Sequence, residues 1–190
     1  MGRCKDFEEK EVLRRALECF WRKGYEAAST RDLAQAMGIS YGSVYNTFKD
    51  KRTLYLASLD LYISLFVRPI IEKLNHATDA YAALKEIFDQ VAKDAINSTC
   101  GFSGSAIFTL ADRDCETAQK VGEMNQSLEA AIESLLIRSC ETGNISPVND
   151  AATLSCFMVN TISSILLATR LGSCRKKLDS IIEVSLSVLR

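Results

Sequence analysis

Residues 29–54 read STRDLAQAMGISYGSVYNTFKDKRTL, and the punctuation of this stretch decides how the rest of the chain is understood. Ser29 or Thr30 can cap a short helix, with Asp32 and Gln35 nearby as acceptors for its early N–H groups. Leu33, Ala34 and Met37 form its buried side, and Gly38 stops it. Ser40 caps a second short helix, Tyr41–Phe48, in which Val44 and Phe48 lie four apart and face inward. Asp50 can cap a third, which begins Lys51-Arg52. Two small helices joined by a Gly-containing turn of a few residues make the helix-turn-helix pattern.

With Val44 and Phe48 turned inward, Tyr41, Gly42, Ser43, Tyr45, Asn46 and Thr47 are left facing out. Ser, Thr, Tyr and Asn donate to phosphate oxygens, and Asn pairs bidentately with adenine. Gly42 leaves no side chain between this helix and a DNA backbone. Lys51 adds a cation beside the N–H groups that open a helix, a phosphate-binding arrangement. Taken singly, each of these residues is equally a solvated polar position. Two tyrosines on one short exposed face fit that plainer reading least well.

The rest of the composition bounds the possibilities. At 190 residues the chain is one medium domain or a small domain fused to a larger one, long enough to bury a core without disulfides or metals. With 47% hydrophobic and 25% charged residues and only 2 prolines, it reads as an all-α globular protein. A net charge of −1 excludes a generic polycation. Residues 22–52 carry 6 Lys and Arg against 3 Asp and Glu, a bias too small to argue for nucleic acid by itself.

The opening MGRCKDFEEK has no apolar leader segment, and Asp6 stands where a myristoylation motif wants Ser or Thr. The apolar stretches Leu61–Ile71 and Cys156–Thr169 are interrupted, by Arg68 and Pro69 in one and by Asn160, Thr161, Ser163 and Ser164 in the other. Both fall short of the ~20 apolar residues of a membrane span, so a cytoplasmic protein without membrane contact is expected. Seven widely spaced cysteines in such a chain read as reduced thiols. There is no Cys-x-x-Cys pair and His76 is the only histidine, so neither a metal site nor a cofactor is expected. The lone histidine, with no partners in evident triad spacing and no Gly-rich phosphate loop, also argues against an enzyme; a small helical enzyme is the remote alternative.

Phe7–Gly24 is predicted as a helix, with Val12, Leu13, Ala16, Leu17, Phe20 and Trp21 on one stripe. Downstream, helices are expected from Lys51 to about Val67, with Pro69 kinking the run or starting a new turn, from Asp79 to about Asn97, over Ser103–Leu110, over Cys115–Cys140, from Asp150 to about Leu171 and over Lys176–Leu189. The helix from Asp150 is apolar on several faces and so must be covered on several sides. Phe66, Phe88, Phe102, Phe108 and Phe157 are candidate walls of a small-molecule pocket, although helically spaced aromatics serve equally as plain core.

These residues, as an ordered set, resemble the TetR (tetracycline-repressor-like) family of bacterial transcription regulators. The likeness runs from Phe20…Gly24-Tyr25 through Ser29-Thr30-Arg31-Asp32-Leu33-Ala34, Met37-Gly38-Ile39-Ser40 and Gly42-Ser43-Val44-Tyr45 to Phe48, Lys49-Asp50-Lys51 and Leu54. It covers roughly residues 7–60. It implies residues 1–50 as a helix-turn-helix DNA-binding domain and 51–190 as a helical effector-binding and dimerisation domain. It further implies a homodimeric repressor on a palindromic operator, released by a small-molecule effector. Thr30 and Arg31 would touch phosphates, Tyr41, Gly42, Ser43, Tyr45 and Asn46 would line the recognition helix, and Lys51 would contact phosphate. The last two long helices would pair with those of a second copy. Cys100-Gly101-Phe102 lies where a thiol-sensing subgroup carries Gly-Cys; the order here is reversed, and Cys100 as an electrophile or redox trigger is the alternative to a bound effector.

Overall fold

The computed structural model describes residues 2–97 and 114–190, with side chains described from residue 9 onward. The expected helix Ser103–Leu110, with Cys100, Phe102 and Phe108, lies outside the described residues. The described residues are helical with no strand among them, and the chain divides into two compact units, Met1–Phe66 and Val67–Arg190.

The first unit holds α1 (Gly2–Lys23), α2 (Thr30–Met37), α3 (Tyr41–Phe48) and α4 (Lys51–Tyr62). Helix α1 packs on α2 and α4 through the predicted stripe, of which Ala16, Leu17, Phe20 and Trp21 are buried. Phe20 meets Tyr55 edge-on, with ring centroids 5.2 Å apart, and Trp21 meets Tyr62 at 6.2 Å. Because α4 buries Leu54, Tyr55, Leu56 and Leu59 in this core, the first unit extends to Phe66 rather than ending near residue 50.

The helical run continues past Tyr62 through a π turn, Ile63–Val67, into α5 (Arg68–His76). Pro69 occupies the first turn of α5, where its missing N–H costs least. Pro69 is thus absorbed with a local change of winding rather than a break.

The second unit continues with α6 (Ala80–Ile96), α7 (Cys115–Glu141), α8 (Ala151–Arg170) and α9 (Arg175–Ser187). Among the described residues its core is aliphatic around Phe88: Leu84, Ile132, Leu135, Met158, Ile165 and Leu178 are all buried with it. The corner between α5 and α6 is tied down from α7. Arg138 donates through Nη2 to the carbonyls of Leu74, Asn75 and Ala77 at 3.0, 3.4 and 3.4 Å, a cation placed on the carbonyl end of α5. The buried Ser139 hydroxyl accepts from the Ala80 N–H at 3.0 Å, and Asn144 donates to the Thr78 carbonyl at 3.1 Å.

By length and hydropathy, the helical runs Lys51–His76 and Ala151–Arg170 both meet the requirement for crossing a membrane, which corrects the expectation that neither apolar stretch is long enough. The interruptions seen in the sequence do not interrupt the helices. Pro69 is carried by the π turn, and Asn160 and Thr161 donate to carbonyls one turn back, at 2.9 and 3.0 Å.

Candidate nucleic-acid interface

Within the first unit, the turn between α2 and α3 is built by short-range bonds. Ser29 caps α2: its Oγ accepts the Asp32 N–H at 3.1 Å, while its own N–H donates to Asp32 Oδ2 at 3.0 Å. Lys23 holds the other carboxylate oxygen at 2.7 Å. The Lys23 ammonium and the Ser29 hydroxyl and N–H together bring the Asp32 carboxyl down to about 2. Gly38 ends α2 at φ 71°, a left-handed conformation that calls for glycine. Ser40 caps α3 through the Ser43 N–H at 3.1 Å.

Helix α3 then buries only Val44 and Phe48. Tyr41, Gly42, Ser43, Tyr45, Asn46 and Thr47 are all exposed. Tyr41 and Tyr45 form a pair, with ring centroids 4.9 Å apart and Tyr41 Oη donating to Tyr45 Oη at 3.1 Å. The Ser43 hydroxyl is engaged with Ser40 Oγ at 2.8 Å, which leaves Asn46 and Thr47 as the more open polar groups. Arg31 is exposed and Thr30 half-buried at the start of α2. They border an open hollow of about 850 Å³ together with Ser29, Ala34, Gln35 and Tyr41. So the structure brings Thr30, Arg31 and, of the α3 set, Tyr41 to one hollow, whose lining carries a cation, three hydroxyls and the Gln35 amide.

Lys51 is placed differently from a free cation. Its ammonium sits 4.4 Å over the Tyr25 ring centroid and donates to the Glu26 carbonyl at 3.3 Å, so the side chain is half-buried against the turn after α1. Lys51 therefore fixes that turn to the start of α4. The pairing with Tyr25 spans 26 positions and leaves no periodic signal in the sequence. Gln35 was also missed as a lining residue; its place four after Arg31 on α2 is the helical spacing that identifies it.

Each described candidate for an effector pocket can be placed within its own unit. Phe66 is half-buried in the first unit, against Trp21 at 6.0 Å and Tyr62 at 5.3 Å. Phe88 is buried core of α6, and Phe157 is 42% exposed on the outer side of α8, beside the exposed Cys156 and Asn160. Cys19 is buried, which pushes its thiol up, whereas Cys115, Cys140, Cys156 and Cys174 are exposed. Among the described residues no group of three His, Cys, Asp or Glu could hold a metal ion.

Comparison with known proteins agrees with this geometry. Residues 12–58 match the family model described as bacterial regulatory proteins, tetR family. The chain is 29% identical over 194 residues to an HTH-type transcriptional regulator, YezE, of Bacillus subtilis (strain 168), covering 100% of both. It is 28% identical over 188 residues to an HTH-type transcriptional repressor, ComR, of Escherichia coli (strain K12), covering 95% of this chain and 88% of that one. Among solved structures, a cysteine mutant of the TetR-family regulator CifR, complexed with 26-bp operator DNA, superposes with a TM-score of 0.74 at 20% identity, covering 95% of this chain and 96% of that one.

Proposed function

The chain belongs to the tetR family of bacterial regulatory proteins, and from that premise we propose that it is a homodimeric transcriptional repressor. It holds a palindromic operator with the open face of α3 and the start of α2, and lets go when a small molecule binds its second unit. The observation that carries this reading is the division of α3. Two side chains anchor it, and every other residue through Thr47 is exposed, which leaves the helix a broad solvent face. Such a face suits the major groove, where recognition helices lie. Phosphate contacts from Thr30, Arg31 and Lys51 would make the affinity fall steeply with salt.

A second copy would cover the outer side of α8 and α9. Phe157 and Leu167 are exposed along α8, Leu171 just after it is 77% exposed, and Val184 on α9 is 70% exposed. An apolar stripe of this kind is uncommon on a monomer. A two-fold partner placed there would cover the stripe and pair the reading heads at ~34–36 Å or a multiple of it. The effector acts only through its different affinity for the DNA-competent and released states, and no catalytic step is part of the mechanism.

A gel shift with the DNA flanking the protein's own gene tests this reading. Retention is expected, and Tyr45→Ala should weaken it about tenfold or more, the equivalent of one good contact, with an unchanged helical spectrum. Failure to bind any upstream fragment refutes the regulator, and a monomer in sedimentation refutes the dimer.

A further inference from the structure

Tyr41 and Tyr45 stand one turn apart on α3, with their rings tilted 56° at 4.9 Å, but their hydroxyls are not equivalent. Tyr41 Oη donates to Tyr45 Oη, so the Tyr41 proton is used inside the pair. The Tyr45 oxygen is the acceptor, and its own proton must leave the pair. Side-chain hydrogen bonds from Tyr41 and Thr30 lower the Tyr45 pKa, and the same contact raises that of Tyr41. Tyr45 is thereby the better outward donor. What Tyr41 presents is mainly ring carbon: it is 55% exposed, next to Gly42, whose missing Cβ leaves the approach open.

An apolar ring on a recognition helix meets one apolar group at the base edges of the major groove, the C5-methyl of thymine. We propose that Tyr41 is a specificity-determining residue that reads a thymine in each half-site by packing its ring on that methyl group, while Tyr45 donates to a phosphate. The inference rests on the DNA-binding reading above and takes it to a single base. It also assigns the two tyrosines different tasks: the ring of one selects sequence, and the hydroxyl of the other sets register on the backbone.

The test needs a duplex whose sequence the protein itself has chosen. Double-stranded DNA is selected from a random pool by the full chain, and each thymine of the selected duplex is then replaced singly by deoxyuridine. That change keeps base pairing and removes only the methyl group. At one position per half-site the replacement should weaken binding about fourfold, the worth of one covered methyl, and about 15-fold when both half-sites carry it. Tyr41→Ala should bind the thymine and uracil duplexes equally. Tyr41→Phe should keep the discrimination, because the ring and not the hydroxyl carries it. Both variants change an exposed side chain, and an unchanged helical spectrum confirms their fold.

Indifference to deoxyuridine at every position, or discrimination that survives in Tyr41→Ala, overturns the proposal and leaves DNA binding standing. Discrimination lost in Tyr41→Phe overturns it as well, assigning the reading to the hydroxyl. A pool from which nothing is enriched overturns the DNA-binding reading itself, and the proposal falls with it.

Discussion

The two units use polar side chains at helix ends over very different ranges. In the first, the caps of α2, α3 and α4 each close over three residues: Ser29 with Asp32, Ser40 with Ser43, and Asp50 with Thr53. The second has such caps too, at Asp79, Asp114 and Asp150, but the corner between α5 and α6 is held by Arg138, Ser139 and Asn144 from 59 to 66 residues away. The difference has a functional side. Local caps let a 26-residue stretch shape the reading head by itself, and they leave the outer face of α3 free for a partner. The distant ties of the second unit point inward, onto carbonyls, and decide how three helices meet.

The largest effect that can break this contrast is expected at Arg138. Replacing it by Ala takes a charged donor from three carbonyls around the end of α5 and should destabilise the protein by about 2 kcal/mol. The measurement is the urea midpoint at constant slope. Arg138→Lys should recover only part of the loss, since a single ammonium cannot hold Ser134 Oγ, which Arg138 reaches through Nη1 at 2.8 Å, together with the carbonyls it reaches through Nη2. If Arg138→Ala costs no more than removal of a single local cap, the second unit is not organised by its long-range ties.

The matching change in the first unit is Ser29→Ala, which removes one cap and should cost about 1 kcal/mol. Its partner Asp32 adds a pH signature. The carboxyl lies at about 2 when folded, below the ordinary aspartate value of 3.8, so its contribution is present above the unfolded value and is lost as pH falls through the folded one. Stability in wild type should therefore decline between roughly pH 4 and pH 2, and Asp32→Asn should flatten part of that decline. A pH profile identical in the variant would mean that Lys23 and Ser29 do not hold Asp32 in solution.

The same contrast explains what could be read from the sequence. The caps, Gly38, and the inward Val44 and Phe48 are signals within a few positions of one another, so α2, α3 and the exposed set on α3 were all legible. The length of the first unit was not, because α4 joins it through Tyr55 and Tyr62, whose partners Phe20 and Trp21 lie more than thirty positions back. The role of Lys51 was hidden for the same reason: its position at a helix start suggested a free cation, and only the fold brings Tyr25 beneath it. Phe157 was misleading in a different way. Apolar residues all round α8 predict cover on every side, and within one chain that cover is absent from its outer stripe.

The smallest effect concerns Lys49, the one described non-glycine residue with positive φ. At φ 63° and ψ −55° it is the centre of a tight turn closed by the Asp50 N–H on the Phe48 carbonyl at 2.7 Å, the rare and strained form of γ-turn. Glycine would adopt it without strain, so Lys49→Gly should gain about 0.5–1 kcal/mol after the entropy that glycine adds to the unfolded chain. A side chain kept there against that gain needs a use elsewhere, and the turn lies between the reading helix and the start of α4, where a cation would meet phosphate. The variant should therefore be more stable, bind DNA more weakly, and show a log Kd against log salt slope shallower by about one. A variant that gains stability with an unchanged salt slope would keep the strain but detach it from DNA binding. One that loses stability would show instead that the lysine side chain holds the turn.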